Sequence, residues 1–322
     1  MGGFAGDQLS SAVSNAGGLG LIGATNDMKD LETQLVAVEK MTSRVNDLLP
    51  IGVGILVFMV KIEEALPVLE KYKPAVIWLF AANQNDHYAQ WSSEIRSSLP
   101  PTQIWIQVGS VEEALSVAKS AKPDVMCVQG TDAGGHGSDK TAGIISLLPE
   151  ISDALHANGH NISLVAAGGI ADGRSAAAAF ALGAEGVVLG TRFLAAKETR
   201  VHPIYQQAIL KASDGGQITI RSKLFDNLRG PNPWPSTYDG RSIIMKSFNE
   251  HQDGVGIEDI RKRHNEAVKE DNAGFDEDGK GRAAIWAGTG VGFVKKVQSA
   301  AEIVEEVRSG AAEALKGAAS KL

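Results

Sequence analysis

The segment DQLSSAVSNAGGLGLIG, residues 7–23, decides the fold. Its first half reads as a helix, with Leu9, Ala12 and Val13 apolar at helical spacing and Gly17 and Gly18 stopping it. Its second half, Leu19–Ile22, reads as a short buried strand. A helix therefore precedes the first strand. Gly18, Gly20 and Gly23 also spell G-x-G-x-x-G, with Glu39 near the distance of a ribose-binding acid. A dinucleotide fingerprint, however, follows a strand and opens a helix. Here that order is inverted, so the glycines are read as the end of a helix and the entry to a strand.

Outward from this segment, further short runs rich in Val, Ile and Leu recur at Val53–Phe58, Ala75–Phe80, Gln103–Val108, Asp124–Val128, Ile162–Ala166 and Gly186–Leu189. They are apolar throughout rather than alternating, as strands covered on both faces should be. Helical stretches separate them. Leu31, Leu35, Val38 and Met41 form one apolar stripe, Ser110 with Glu113 reads as a capping box, and Asp172 is placed to cap an alanine-rich helix ending near Gly183. Seven strands are counted in this way, whereas a closed barrel takes eight. Because the chain opens on a helix without its own strand, the expected fold is an α/β, TIM-type (β/α)8 barrel lacking its first strand. An eighth strand is expected to belong ahead of Met1, through a shortened start.

Composition narrows the functional classes. Hydrophobic residues make up 43% and charged residues 21%, the balance of a folded globular chain. No apolar run reaches the roughly 20 residues of a membrane helix, and no signal-peptide pattern opens the chain, so a cytoplasmic protein is expected. One cysteine excludes an intramolecular disulfide framework and any multi-cysteine metal site. A net charge of −7 with no basic block argues against nucleic acid, leaving small molecules as the expected partners.

Two glycine turns fall where barrels hold phosphate. Ala167-Gly168-Gly169-Ile170 follows one strand and Gly190-Thr191 the next; with the missing strand counted, these are the loops after strands seven and eight. Backbone N–H groups there can approach an anion with no Cβ in the way. The densest chemistry is QGTDAGGHG, residues 129–137, directly after the strand Asp124–Val128. Its glycines can press against a flat ligand, and His136 brings to the barrel mouth an imidazole able to donate, accept or carry a proton. His156 and His160 lack the carboxylate order of a zinc site and are read as surface, Asp132 as a turn former, and Cys127 as a packed strand residue. No metal site is expected.

Taken together, SAVSNAGGLG at 11–20, QGTDAGGHG at 129–137, AAGGIADG at 166–173, VLGTRFL at 187–193 and AGTGVG at 287–292 resemble the nitronate monooxygenases, formerly called 2-nitropropane dioxygenases. The resemblance implies an FMN-dependent barrel formed by residues 1–195 and 285–322. It also implies a smaller helical insertion, residues 196–284, covering the flavin, and a final helix near Ala300–Leu315. It implies Gln129 and Gly134 beside the flavin ring, Gly168, Gly169, Gly190 and Thr191 at its phosphate, and His136 over the ring as the catalytic histidine. Met1 remains of an Ala-Pro-Met segment that lines the flavin in the family, and Gly54 stands where many members have an Asn. The implied reaction is oxidation of an alkyl nitronate by molecular oxygen to a carbonyl compound and nitrite, with no nicotinamide. The same scaffold also serves FMN-dependent NAD(P)H:quinone and enoyl reductases, and the missing strand leaves room for a degenerate, non-catalytic barrel.

Overall fold

A computed structural model describes residues 3–278 and 280–321; Met1, expected beside the flavin, lies outside the described residues. The strands are β1 (Gly20–Gly23), β2 (Leu49–Leu56), β3 (Pro74–Phe80), β4 (Gln103–Val108), β5 (Val125–Gln129), β6 (Gly135–Ser138), β7 (Ser163–Ala167), β8 (Gly186–Val188), β9 (Thr219–Ser222) and β10 (Tyr238–Ile243). Helices alternate with them: α1 (Asp7–Asn15), α2 (Met28–Met41), α3 (Ile62–Tyr72), α4 (Asn85–Ser98), α5 (Val111–Ser120), α6 (Ile144–Ala157) and α7 (Gly173–Ala181). After β8 come α8 (Pro203–Lys211), α9 (Gly215–Ile218), α10 (Leu224–Asn227), α11 (Lys246–Gln252), α12 (Ile257–Ala267) and the long α13 (Ala300–Ala319).

Seven strands form one parallel sheet in the order β1-β2-β3-β4-β5-β7-β8. This is the wall of a TIM-type barrel, and it is open: among the described residues, β1 and β8 do not pair with each other. The strand count read from the sequence therefore holds. β2 begins at Leu49 rather than Val53, because Pro50 and Gly52, which look like strand breakers, sit in a strand whose ladder to β3 shifts register between Leu49 and Gly52.

Both faces of the sheet are covered. Outward-facing Ile22, Val53, Ile77, Ile106 and Val128 pack with α2, α3, α5 and α6 residues such as Leu35, Leu69, Val117 and Leu148 in the main core. Trp78, Val125, Cys127, Val165 and Ala167 form a separate inward layer. The Cys127 thiol is fully buried there.

Helix α1 precedes β1, the order that the opening segment dictates, and it lies so close that a Cβ on Gly20 would stand 1.9 Å from the Ser10 carbonyl oxygen. That approach is why the position is Gly. At the open seam the Gly23 N–H donates to the Ala5 oxygen (3.0 Å) and the Arg200 N–H to the Phe4 oxygen (3.3 Å), so the entering chain is held beside the end of β1. Helix α13 crosses the same region. Its Ala300 and Ile303 pack with Leu9 and Val13 of α1, while Gly310 abuts Gly173 of α7.

Caps follow the sequence with one difference. Asp172 accepts the Ser175 N–H in a complete capping box on α7. On α5 the Ser110 hydroxyl accepts the Glu113 N–H, but the Glu113 carboxylate takes the Gly109 N–H instead of that of Ser110, so the expected box is half formed. The 196–284 segment contains helices α8–α12 and also strands β9 and β10. β10 pairs antiparallel with β6 on one side and with β9 on the other, a sheet that joins this segment to the loop after β5.

Candidate active site

The loop that follows β5 turns back as β6, and this carries His136 out over the C-terminal end of the parallel sheet. In register, His136 is opposite Gly240 of β10. A Cβ on Gly240 would lie 3.4 Å from His136 Nε2 and 2.5 Å from the Trp286 ring, so the glycine lets both rings sit against the strand. The imidazole stacks face to face on Trp234, with centroids 3.7 Å apart and planes 6° from parallel, and its other neighbour is Trp286 at 4.8 Å. Nε2 lies 2.6 Å from Oδ1 of Asp226 on α10. The His136 and Asp226 side chains are only 16% and 5% exposed. Asp226 Oδ2 is buried and has no hydrogen-bond partner among the described residues.

Trp234 belongs to the turn Pro231-Asn232-Pro233-Trp234-Pro235, whose Asn232 side chain accepts the Trp234 N–H (2.8 Å). The indole reaches across the mouth to Phe58, just after β2, at 4.9 Å, to Phe80 at the end of β3, and to Tyr238. An aromatic wall thus faces His136. Below it, Glu113 at the start of α5 carries a carboxyl that burial pushes up to about 6. Burial, with the Glu113 charge nearby, also raises the Tyr238 phenol well above its ordinary range.

The opposite face of the β6-β10-β9 sheet packs on the barrel rim. There the Gln129 amide donates to the His136 carbonyl oxygen (3.3 Å), and Gly137 leaves room for the Gln129 side chain. Arg241 donates to the Thr131 oxygen (3.1 Å), and Arg221 pairs with Asp239. Gly134 backs onto the main chain of Ala287 and Gly288, so its missing Cβ accommodates a backbone inside the protein. The Gly288 N–H in turn donates to Thr191 Oγ1 (3.0 Å), and Thr289 Oγ1 donates to Asp132 Oδ1 (2.8 Å).

The two glycine turns end neighbouring strands, since Ala167 of β7 is in register with Val188 of β8. Gly168 and Gly169 have positive φ, at 107° and 74°. Their N–H groups and that of Gly190 find no acceptor among the described residues, and a Cβ on Gly190 would meet nothing within 4 Å. The structure therefore brings Gln129, Gly134, His136, Gly168, Gly169, Gly190 and Thr191 to one end of the barrel. Gly54 lies within β2, in register with Gly23 of β1 and Trp78 of β3. Sequence reasoning missed Asp226 and Trp234. Neither lies in a motif, although the Pro-rich turn around Trp234 was a visible sign of an ordered loop. Among the described residues no group of three or more His, Cys, Asp and Glu could hold a metal, and no helix is long and apolar enough to cross a membrane.

Known proteins resemble this chain in sequence and in fold. A family model described as nitronate monooxygenase matches residues 57–310. A nitronate monooxygenase of Metarhizium robertsii is 42% identical over 94% of this chain and 87% of its own length. One from Neurospora crassa is 36% identical over 96% of this chain and 86% of its own. Among solved structures, FabK from Thermotoga maritima superposes with a TM-score of 0.78 at 25% identity, covering 100% of this chain and 94% of that one. The chain belongs to the nitronate monooxygenase family of flavin-dependent oxidoreductases.

Proposed function

We propose that the protein binds FMN at the mouth of the barrel and oxidises alkyl nitronates with molecular oxygen to carbonyl compounds and nitrite. One observation carries the reading: a nearly buried, carboxylate-paired His136 overhangs the same barrel end where the Gly168, Gly169 and Gly190 N–H groups lack protein acceptors. Unpaired N–H groups at the ends of adjacent strands suit a phosphate. A flavin ring is flat, apolar on its dimethylbenzene side and polar on its pyrimidine edge, and a glutamine and a histidine beside it suit that polar edge. The residues present fit the cofactor. In this reading Gly168, Gly169, Gly190 and Thr191 hold the phosphate, and Gln129 and Gly134 border the ring. Gly54, without a side chain, leaves the far side open, and residues 196–284 form the cover.

When bound, the flavin supplies an electron acceptor for the nitronate and a route for electrons to oxygen. The protein's own part is to bind and orient. Trp234, Phe58, Phe80 and Trp286 exclude water and take the alkyl portion of the substrate, which strengthens polar contacts inside the mouth. When protonated, His136 donates to the nitronate oxygens; when neutral, it removes the α-proton of a nitroalkane.

The test is to load the chain with FMN and supply a nitronate without nicotinamide. Oxygen uptake should be matched by release of nitrite and of a carbonyl compound. A folded protein that stays colourless at saturating FMN, or takes up no oxygen with any nitronate, would overturn the proposal.

A further inference from the structure

We infer that Asp226 is the positioning residue of a His–Asp pair, holding the His136 Nε2 proton and so leaving Nδ1 as the atom that accepts the α-proton of a neutral nitroalkane. The inference rests on the nitronate-oxidising reading above. Its starting point is the 2.6 Å contact between His136 Nε2 and Asp226 Oδ1. A carboxylate can only accept there, so the Nε2–H donates and the neutral ring carries its lone pair on Nδ1. No described residue hydrogen-bonds Nδ1. The ring cannot easily turn over, because Trp234 lies flat against one face and Trp286 approaches at 4.8 Å.

Asp226 itself reports what it is for. It is 5% exposed, its only hydrogen-bond partner among the described residues is His136, and its Oδ2 is left without one. A buried carboxylate so poorly satisfied is costly, and it gains most when the imidazole becomes positively charged. Proton abstraction does that. The Cα–H bond of the nitroalkane breaks and an Nδ1–H bond forms. The C–H electron pair moves into a C=N bond, with the nitro group taking the negative charge on oxygen. The product is the nitronate, bound beside an imidazolium that Asp226 stabilises. A preformed nitronate needs no such step, so the pair should matter for one substrate form and hardly for the other.

The experiment compares wild type, Asp226→Asn and Asp226→Glu in the full chain, with FMN content and melting temperature recorded for each. For Asp226→Asn, kcat/KM with a neutral nitroalkane should fall about a hundredfold to ten-thousandfold, the scale seen when a histidine loses the group fixing its tautomer. With the preformed nitronate it should change by less than about tenfold, a difference of under about 1.4 kcal/mol. Asp226→Glu, which keeps the carboxylate, should recover most of the nitroalkane rate, and deuterating the α-carbon should slow Asp226→Asn more than wild type. Independently of turnover, nitrogen NMR of the wild-type chain should find the His136 proton on Nε2 and the lone pair on Nδ1. A proton on Nδ1, or equal losses on both substrates, would overturn the inference. Should the chain oxidise no nitronate at all, the proposed function fails while the tautomer measurement still decides the pairing.

Discussion

At the scale of single residues, His136 and Glu113 carry the most specific expectations. His136→Asn should keep the flavin spectrum, since the glycine turns are untouched. Its turnover of neutral nitroalkane should fall by about a hundredfold to ten-thousandfold, measured as initial rates of oxygen uptake. Glu113 makes a pH-dependent contribution to stability. Burial pushes its carboxyl from an ordinary 4.5 to about 6, so the folded protein holds this proton more tightly than the unfolded chain. The stability it contributes is present in full below about 4.5 and is lost as pH rises through about 6. Glu113→Gln keeps an acceptor for the Gly109 N–H and removes the buried charge. The variant should match wild type near pH 4.5 and be more stable at pH 7 by about 1–2 kcal/mol, the lower value allowing for partial exposure. Thermal melts at the two pH values check this, and an equal difference at both would contradict it.

At the scale of elements, two glycines should respond in opposite ways. Gly20→Ala drives a methyl into the Ser10 carbonyl and must push α1 off β1, costing about 1–3 kcal/mol or more. Gly190→Ala meets no atom within 4 Å, so the fold should melt unchanged while FMN binds about tenfold more weakly, its phosphate obstructed. Melting curves and FMN titrations of both variants separate a packing glycine from a binding one. The order of α1 and β1 and the repeated apolar runs were legible because helix stops and fully apolar strands are local signals. His136 was legible because four glycines surround it in one loop. Strands β6 and β10 were not, since Gly135, Gly137 and Gly240 carry no strand preference, and β9 was not because its four residues are too short a run and only pairing with β10 fixes them. Asp226 escaped notice for a related reason: a four-residue helix has no periodicity, and only the fold brings it to His136.

At the scale of the molecule, the parallel wall is open between β1 and β8 among the described residues, and α13 bridges that side by packing on both α1 and α7. Ile303, fully buried against α1, is the anchor of that contact. Ile303→Ala should cost about 2–5 kcal/mol by opening a cavity. Because β8 leads into the Gly190 turn, the same variant should also bind FMN less tightly, whereas a variant that melts earlier with unchanged FMN affinity would show that the seam and the cofactor turn are independent. The proposed function has the nitronate as its electron donor. FMN-loaded protein, free of oxygen, is mixed in parallel with a nitronate and with NADH or NADPH, and the visible flavin absorbance is followed. The expected result is rapid loss of flavin colour with the nitronate and none with either nicotinamide. Rapid loss with NADH or NADPH and none with the nitronate would contradict the account and make the protein a nicotinamide-dependent reductase.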